Sequence, residues 1–107
     1  MMRVQFLTLA SEEVAEAHRY YDLQQAGLGR QFVTEVRHAT RRIAQFPLAF
    51  PFQRGEIRKC LLHRFPYKLL YAIRSDSILI IAVAHQHREP EYWVDRTDLK
   101  RANQAAV

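Results

Sequence analysis

One apolar stripe at helical spacing runs through the first half of the chain and limits the folds that it can adopt. It recurs at intervals of four, three, four and three residues, through Phe32, Val36, Ala39, Ile43 and Phe46. This period predicts one amphipathic helix, which ends before Pro47 because proline cannot continue it. A helix with a single apolar face has to bury that face against another layer. The rest of the chain must therefore supply a sheet.

A strand and a shorter helix are predicted before this stripe. Residues 3–9 alternate between apolar and polar types, which is typical of a strand. Ser11 is a candidate N-cap, and Glu12 and Glu13 then place negative charge in the first helical turn. Gly27 is the type of residue that commonly ends such a helix. Because the link between the two helices is short, we expect an antiparallel helical hairpin.

Three strands are predicted after a loop at residues 50–52. They cover residues 56–62, 67–74 and 77–85, with a short polar turn between the last two. The last strand is apolar on both faces from Ile78 to Ala84, so we expect it at the centre of the sheet. The predicted fold is α+β with the order β-α-α-β-β-β, and the helical hairpin packs on one face of a small antiparallel sheet. The other face is expected to be only partly covered.

Length and composition indicate a single domain over residues 1–107, with residues 97–107 as a loose tail or a short helix. Apolar residues make up 49% and charged residues 25%, which is ordinary for a globular protein. The net charge is +5, and residues 37–74 hold nine lysines and arginines against one acid, Glu56. Such a field attracts nucleic acid, a nucleic-acid machine or an acidic protein, although it could also be a solvated basic face.

Several functional classes are disfavoured. Cys60 is the only cysteine, so no internal disulfide can form and a redox role is not expected. The longest apolar run, 77–84, is too short to cross a bilayer, which indicates no membrane partner and a cytoplasmic protein. No glycine-rich phosphate loop follows a strand and no serine elbow is present, so we expect no cofactor.

The candidate functional residues are basic and aromatic side chains on the last three strands and just beyond them: Arg58, Arg64, Lys68, Arg74, His85, His87, Arg88 and Tyr92. RNA cleavage by internal attack needs a base, an acid and cations for the phosphate. His85 would be the base and Tyr92 a donor, with Arg58, Arg64 or Arg88 holding phosphate.

A structural interpretation of the same residues competes with this one. His85 would end a strand by bonding to the next loop, while Arg88 and Tyr92 would pin the C-terminal segment to the sheet. For His85 the structural interpretation is favoured, because a single histidine without an identified partner is a weak catalytic marker. His85 and His87 have the spacing of two ligands on one strand face, but no third ligand is evident and we predict no metal site.

The chain resembles the RelE/ParE superfamily of toxins. Two runs carry most of the resemblance: Ile57-Arg58-Lys59-x-x-Leu62-x-Arg64-Phe65-Pro66-Tyr67-x-Leu69-x-Tyr71 and Ile80-Ile81-Ala82-Val83-Ala84-His85-x-x-Arg88-x-Pro90-x-Tyr92-Trp93-x-x-Arg96. It implies a β-α-α-β-β-β toxin of a type II toxin–antitoxin system, neutralised by an antitoxin that is expected to be acidic and to bind DNA.

The resemblance implies two different targets. RelE-like members cleave messenger RNA at the ribosome, whereas ParE-like members poison DNA gyrase. If the chain were a metal-independent ribonuclease, His85, Tyr92 and Arg64 would be catalytic. Target binding would otherwise fall to Arg58, Lys68, Arg74, Arg88 and Arg96. The Phe65-Pro66-Tyr67 and Tyr92-Trp93 pieces favour the ParE-like branch, with the RelE-like ribonuclease and an inactive antitoxin-binding scaffold as alternatives.

Overall fold

The helices and strands follow the predicted order, with one extra short strand after the second helix and two further elements at the end. The computed structural model describes residues 1–99 and 104–105, of which 98, 99, 104 and 105 are described as backbone alone. The elements are β1 Arg3–Leu7, α1 Thr8–Gln24, α2 Leu28–Gln45, β2 Phe52–Arg54, β3 Ile57–Leu61, β4 Tyr67–Ile73, β5 Ser77–His85, α3 Arg96–Leu99 and β6 Gln104–Ala105. The predicted tail or helix over 97–107 therefore coincides in part with α3, and its residues 100–103 and 106–107 lie outside the described residues.

The sheet has the strand order β2-β3-β4-β5-β1-β6 over the described residues. The predicted α+β fold is confirmed, but the sheet is mixed, because β1 pairs in parallel with β5 while β3, β4 and β5 form an antiparallel meander. The alternating pattern of β1 indicates a strand without indicating the direction of its neighbour. Residues 52–54, expected in or beside a loop, instead form β2 at one edge of the sheet.

The helical hairpin depends on two glycines. Gly27 precedes α2 with a φ of +89°, a conformation that glycine adopts without strain. Gly29 lies against α1, where its N–H donates to the Asp22 carboxylate at 2.8 Å and an added Cβ would collide with the His18 carbonyl oxygen. The start of α1 was predicted wrongly, because the helix begins at Thr8, three residues before Ser11, with no side-chain cap.

The core lies between the hairpin and the sheet. Four members of the α2 stripe are buried as predicted, but Phe46 is 59% exposed because the helix ends one residue before it. The Phe32 ring packs on Tyr67 of β4 at 4.9 Å, and the Tyr71 hydroxyl donates to the Pro47 carbonyl at 2.7 Å. Tyr67 and Tyr71 thus lie on the helix side of the sheet. Their alternating neighbours, Lys68, Leu70 and Ala72, lie on the opposite side.

The central position predicted for β5 is confirmed, since it lies between β4 and β1 with every residue before His85 buried. The opposite side of the sheet is more completely covered than expected. Trp93, from the segment after β5, is 1% exposed and lines a hollow together with Ala72. Its ring nitrogen donates to the Pro90 carbonyl at 2.9 Å, which satisfies the indole as it is buried. The C-terminal segment therefore completes the second layer of the core.

Candidate functional site

The cationic residues expected on one open surface are divided between the two sides of the sheet. Residues paired directly across neighbouring strands point to the same side. Arg58 pairs with Tyr71 and His85 pairs with Tyr67, so both start from the helix side. Lys68 alternates with Tyr67 and lies on the opposite side. The expected common surface of Arg58, Arg64, Lys68 and His85 is not formed, because strand periodicity places Lys68 on the side opposite Arg58 and His85.

Arg58 forms hydrogen bonds with the loop that follows α2. Its Nη1 donates to the Phe50 carbonyl at 2.7 Å and to the Leu48 carbonyl at 3.3 Å. Its guanidinium also lies 4.0 Å from the centre of the Phe52 ring, a cation–π contact. These contacts satisfy loop carbonyls that have no helical or strand partner. In this arrangement Arg58 stabilises the loop and the edge strand β2.

Arg64 and Lys68 each bind a different glutamine. Exposed Arg64 donates to Gln31 Oε1 at 3.0 Å, in the first turn of α2. Lys68 Nζ donates to Gln53 Oε1 at 3.2 Å, and its partial burial together with the charge of Lys59 lowers the pKa of the Lys68 ammonium. The two cations thus act on separate parts of the surface.

His85 has the hydrogen bond that the structural interpretation predicted. Its Nδ1 accepts the backbone N–H of His87 at 3.0 Å, which closes the turn after β5. Its ring lies edge-on to Tyr67 at 5.1 Å and beside the His87 ring at 5.3 Å. Among the described residues, no hydrogen bond or ring contact joins Arg58, Arg64 and His85 to one another.

Three predicted site residues meet at a buried carboxylate, Glu13 of α1, which is 8% exposed. The Tyr92 hydroxyl donates to Glu13 Oε2 at 2.7 Å, and both terminal nitrogens of Arg96 donate to this carboxylate, at 3.0 and 2.9 Å. Arg88 lies 3.8 Å from Glu13 Oε2 and covers the Tyr92 ring at 3.9 Å. We call Glu13, Arg88, Tyr92 and Arg96 the Glu13 cluster.

The Glu13 cluster completes the edge of β5 where β1 ends. β1 pairs with β5 only as far as Ile80, and no strand of the described residues pairs with the next backbone groups on that edge. Glu13 accepts the Val83 N–H at 2.8 Å, and Arg96 donates to the Ile81 carbonyl at 3.2 Å. Side chains from α1 and α3 thereby replace the missing strand, since buried backbone groups need partners.

The surroundings of the Glu13 cluster favour a neutral Tyr92 phenol and a charged Arg96 guanidinium. Burial, and then the hydrogen bond to Glu13, raise the pKa of Tyr92. Burial alone would lower the pKa of Arg96, but the hydrogen bond to Glu13 and its charge outweigh that effect and raise the pKa. Tyr92 is therefore held protonated as a donor to Glu13, as a structural tyrosine would be.

Arg74 lies apart from this cluster, at the end of β4. Together with Arg54 and Arg58 it lines a hollow of about 480 Å³ between the β2–β3 turn and the C-terminal segment. Two of its guanidinium nitrogens, Nε and Nη2, are buried and have no acceptor among the described residues. Of the predicted binding residues, Arg58 and Arg74 line this hollow.

Glu13 was missed in the sequence as a site residue. It was assigned to the first turn of α1, where a carboxylate interacts with the helix dipole. A signal was available, because Glu13 lies three residues after Ala10 and four before Ala17, on the same buried helix face. A carboxylate on an otherwise apolar stripe needs a cationic partner, and Arg96 is that partner.

Two kinds of feature are absent from the part of the chain that the structure describes. No three histidine, cysteine, aspartate or glutamate side chains gather there as metal ligands would. Among those same residues, no helix combines the length and the apolar character needed to cross a membrane.

The fold is that of a small α+β protein in which a helical hairpin covers one side of a mixed sheet. The sequence model of one family, described as "ParE toxin of type II toxin-antitoxin system, parDE", matches residues 4–90. The chain therefore belongs to the ParE toxin family and is a toxin component of a type II toxin–antitoxin system. The matched region includes Glu13 and ends at Pro90, so Tyr92 and Arg96 lie beyond it.

A solved structure titled "Chromosomal ParDE TA system from P. aeruginosa" is similar to this chain. The TM-score is 0.61 at 13% sequence identity, with 79% of this chain and 96% of that chain covered. At this identity the similarity concerns the fold alone. No curated protein sequence gives a significant match to the chain.

Proposed function

We propose that this toxin arrests growth by poisoning DNA gyrase and that it does not cleave messenger RNA. Membership of the ParE family supports the gyrase target. The main observation against RNA cleavage is the hydrogen bond from the Tyr92 hydroxyl to buried Glu13, at 2.7 Å. A donor held by an internal carboxylate is not free to protonate a leaving group.

The geometry of the remaining candidates supports the same choice. A ribonuclease needs its base, its acid and its phosphate-binding cations within reach of one phosphodiester. His85 is bonded to the turn after β5, whereas Arg64 is bonded to α2. Arg88 covers the Tyr92 ring and faces Glu13. These side chains stabilise local structure and do not converge on one point.

A cognate antitoxin completes the proposal. The similar structure is of a ParDE toxin–antitoxin system, and the net charge of +5 favours an acidic partner. We expect this antitoxin to carry a DNA-binding domain and to be encoded beside the toxin. Both the toxin and its target would act in the cytoplasm.

Controlled expression in bacteria tests the choice of target. The chain should arrest growth and accumulate gyrase–DNA cleavage complexes, while the length distribution of messenger RNA stays unchanged. The Arg64→Ala and His85→Ala variants should arrest growth as the parent does. Truncated messages that disappear in these two variants would instead establish the ribonuclease. Absence of arrest, with the antitoxin still bound, would identify an inactive scaffold.

A further inference from the structure

The hollow at the end of β4 combines apolar walls with one unpaired cation. Its lining includes five apolar residues together with Arg74: Phe52, Ile57, Ala72, Trp93 and Val94. Phe52 is 55% exposed, so an apolar surface is available at the mouth of the hollow. A site of this kind fits a ligand that carries both an apolar group and a single negative charge.

The unpaired edge of Arg74 has the geometry of a carboxylate site. Nε and Nη2 are the two nitrogens on one side of the guanidinium, and their N–H groups point in parallel. A carboxylate binds this edge with both oxygens. Buried donors without an acceptor destabilise a fold, so such a side chain is retained at the expense of stability. That combination is expected of a residue whose acceptor comes from a ligand.

The other charges around the hollow argue against a nucleic acid there. Arg58 is bonded to the Phe50 and Leu48 carbonyls, and Arg54 is paired with Glu91. Glu56 also lines the hollow and adds a negative charge. A polynucleotide backbone requires several free cations in a row, whereas the described lining of this hollow offers one. A single carboxylate between apolar side chains fits better.

We propose that this hollow, the Arg74 hollow, binds an aspartate or glutamate side chain flanked by apolar residues from an acidic segment of the antitoxin. The antitoxin as the source of the segment rests on the proposed function. The carboxylate chemistry rests only on the Arg74 hollow itself. The experiment therefore has two arms, one for the chemistry and one for the source.

The first arm uses Trp93, the only tryptophan of the chain, as a fluorescent reporter inside the hollow. The full chain is titrated with the blocked peptide acetyl-Leu-Glu-Leu-Leu-amide and with its Gln counterpart. The Glu peptide should change the Trp93 emission and bind about 10- to 100-fold more tightly than the Gln peptide, as a charged hydrogen-bonded pair implies. Arg74→Met should remove this preference, whereas Arg41→Met, at an exposed position of α2, should keep it.

Several outcomes of the first arm would overturn the carboxylate site. Equal binding of the two peptides would do so, and so would no change in Trp93 emission with either. A larger change with inorganic phosphate or a single-stranded oligonucleotide would assign the hollow to a nucleic acid instead. Circular dichroism of both variants establishes that they are folded. Arg74→Gln provides a second substitution if Arg74→Met does not fold.

The second arm measures the Kd between the full chain and the protein encoded by the adjacent antitoxin gene. Arg74→Met should weaken this binding about tenfold or more, and Arg41→Met should change it little. Equal Kd values for the two variants would reject the antitoxin as the source of the acidic segment. Lack of growth arrest by the parent chain would refute the proposed toxicity, and it would leave both binding results intact.

Discussion

Replacing Glu13 with alanine removes one carboxylate that serves four groups at once. The Tyr92 hydroxyl, the Arg96 guanidinium and the Val83 N–H lose their acceptor, and Arg88 loses a nearby counter-charge. Arg96 is only 12% exposed, so its charge would stay largely buried without a partner. Removing one member of a buried ion pair typically costs about 3–5 kcal/mol.

This loss is large compared with the stability of a small domain, which is about 5–15 kcal/mol. In thermal unfolding it corresponds to a fall in Tm of roughly 12–20 °C, at about 4 °C per kcal/mol. Glu16→Ala is the matched control, because Glu16 lies one turn further along α1 and is exposed. Its effect should stay within about 0.5 kcal/mol.

Coupling between the partners sharpens the test. Because Arg96→Met also removes the pair, the Glu13→Ala/Arg96→Met double variant should be less destabilised than the sum of the two single variants, by about 1–3 kcal/mol. Urea unfolding of the four proteins measures this difference. Additive losses, or a Glu13→Ala variant as stable as Glu16→Ala, would show that the cluster does not secure the C-terminal segment.

Three further predictions concern single positions away from the cluster. Burial raises the pKa of Tyr71 to about 12, so its contribution to stability is complete below pH 10 and is lost as the pH rises through 12. This contribution to the free energy of unfolding is roughly 2–3 kcal/mol. Tyr71→Phe should therefore lose less stability than the parent between pH 10 and 12. An equal loss in the two proteins would contradict the prediction. Gly29→Ala should lower the free energy of unfolding by about 1–3 kcal/mol, because its Cβ would meet the His18 carbonyl oxygen. Urea unfolding measures this loss, and an unchanged urea midpoint would refute the close packing of Gly29 on α1. Burial raises the pKa of the Cys60 thiol, so a thiol reagent should label it only after unfolding, and rapid labelling of the native protein would show that it is accessible.

The fold was largely predictable from periodicity. The α2 stripe and the apolar run of β5 indicated the two layers of the core, because burial of one helix face and of both strand faces leaves a clear pattern. The burial predicted for Phe46 was wrong, because its spacing matched the stripe although the helix ends one residue before it. Strand β2 has three residues and no pattern of its own, so only pairing with β3 reveals it.

The site was less predictable, because its contacts join residues that are far apart in sequence. Glu13 and Arg96 are 83 positions apart, and no local pattern links them. Arg58, Arg64 and His85 had the residue types of a ribonuclease, but residue type alone does not establish which side of a sheet a residue faces. The hydrogen bond predicted for His85 could be found from the sequence because a strand end next to a turn offers a nearby backbone N–H.

Reconstitution with purified DNA gyrase is the most direct test of the target. The purified chain should inhibit supercoiling of plasmid DNA and trap cleaved DNA on the enzyme, and it should leave messages intact in a cell-free translation reaction. Fully active gyrase together with ribosome-dependent cleavage of those messages would contradict the account.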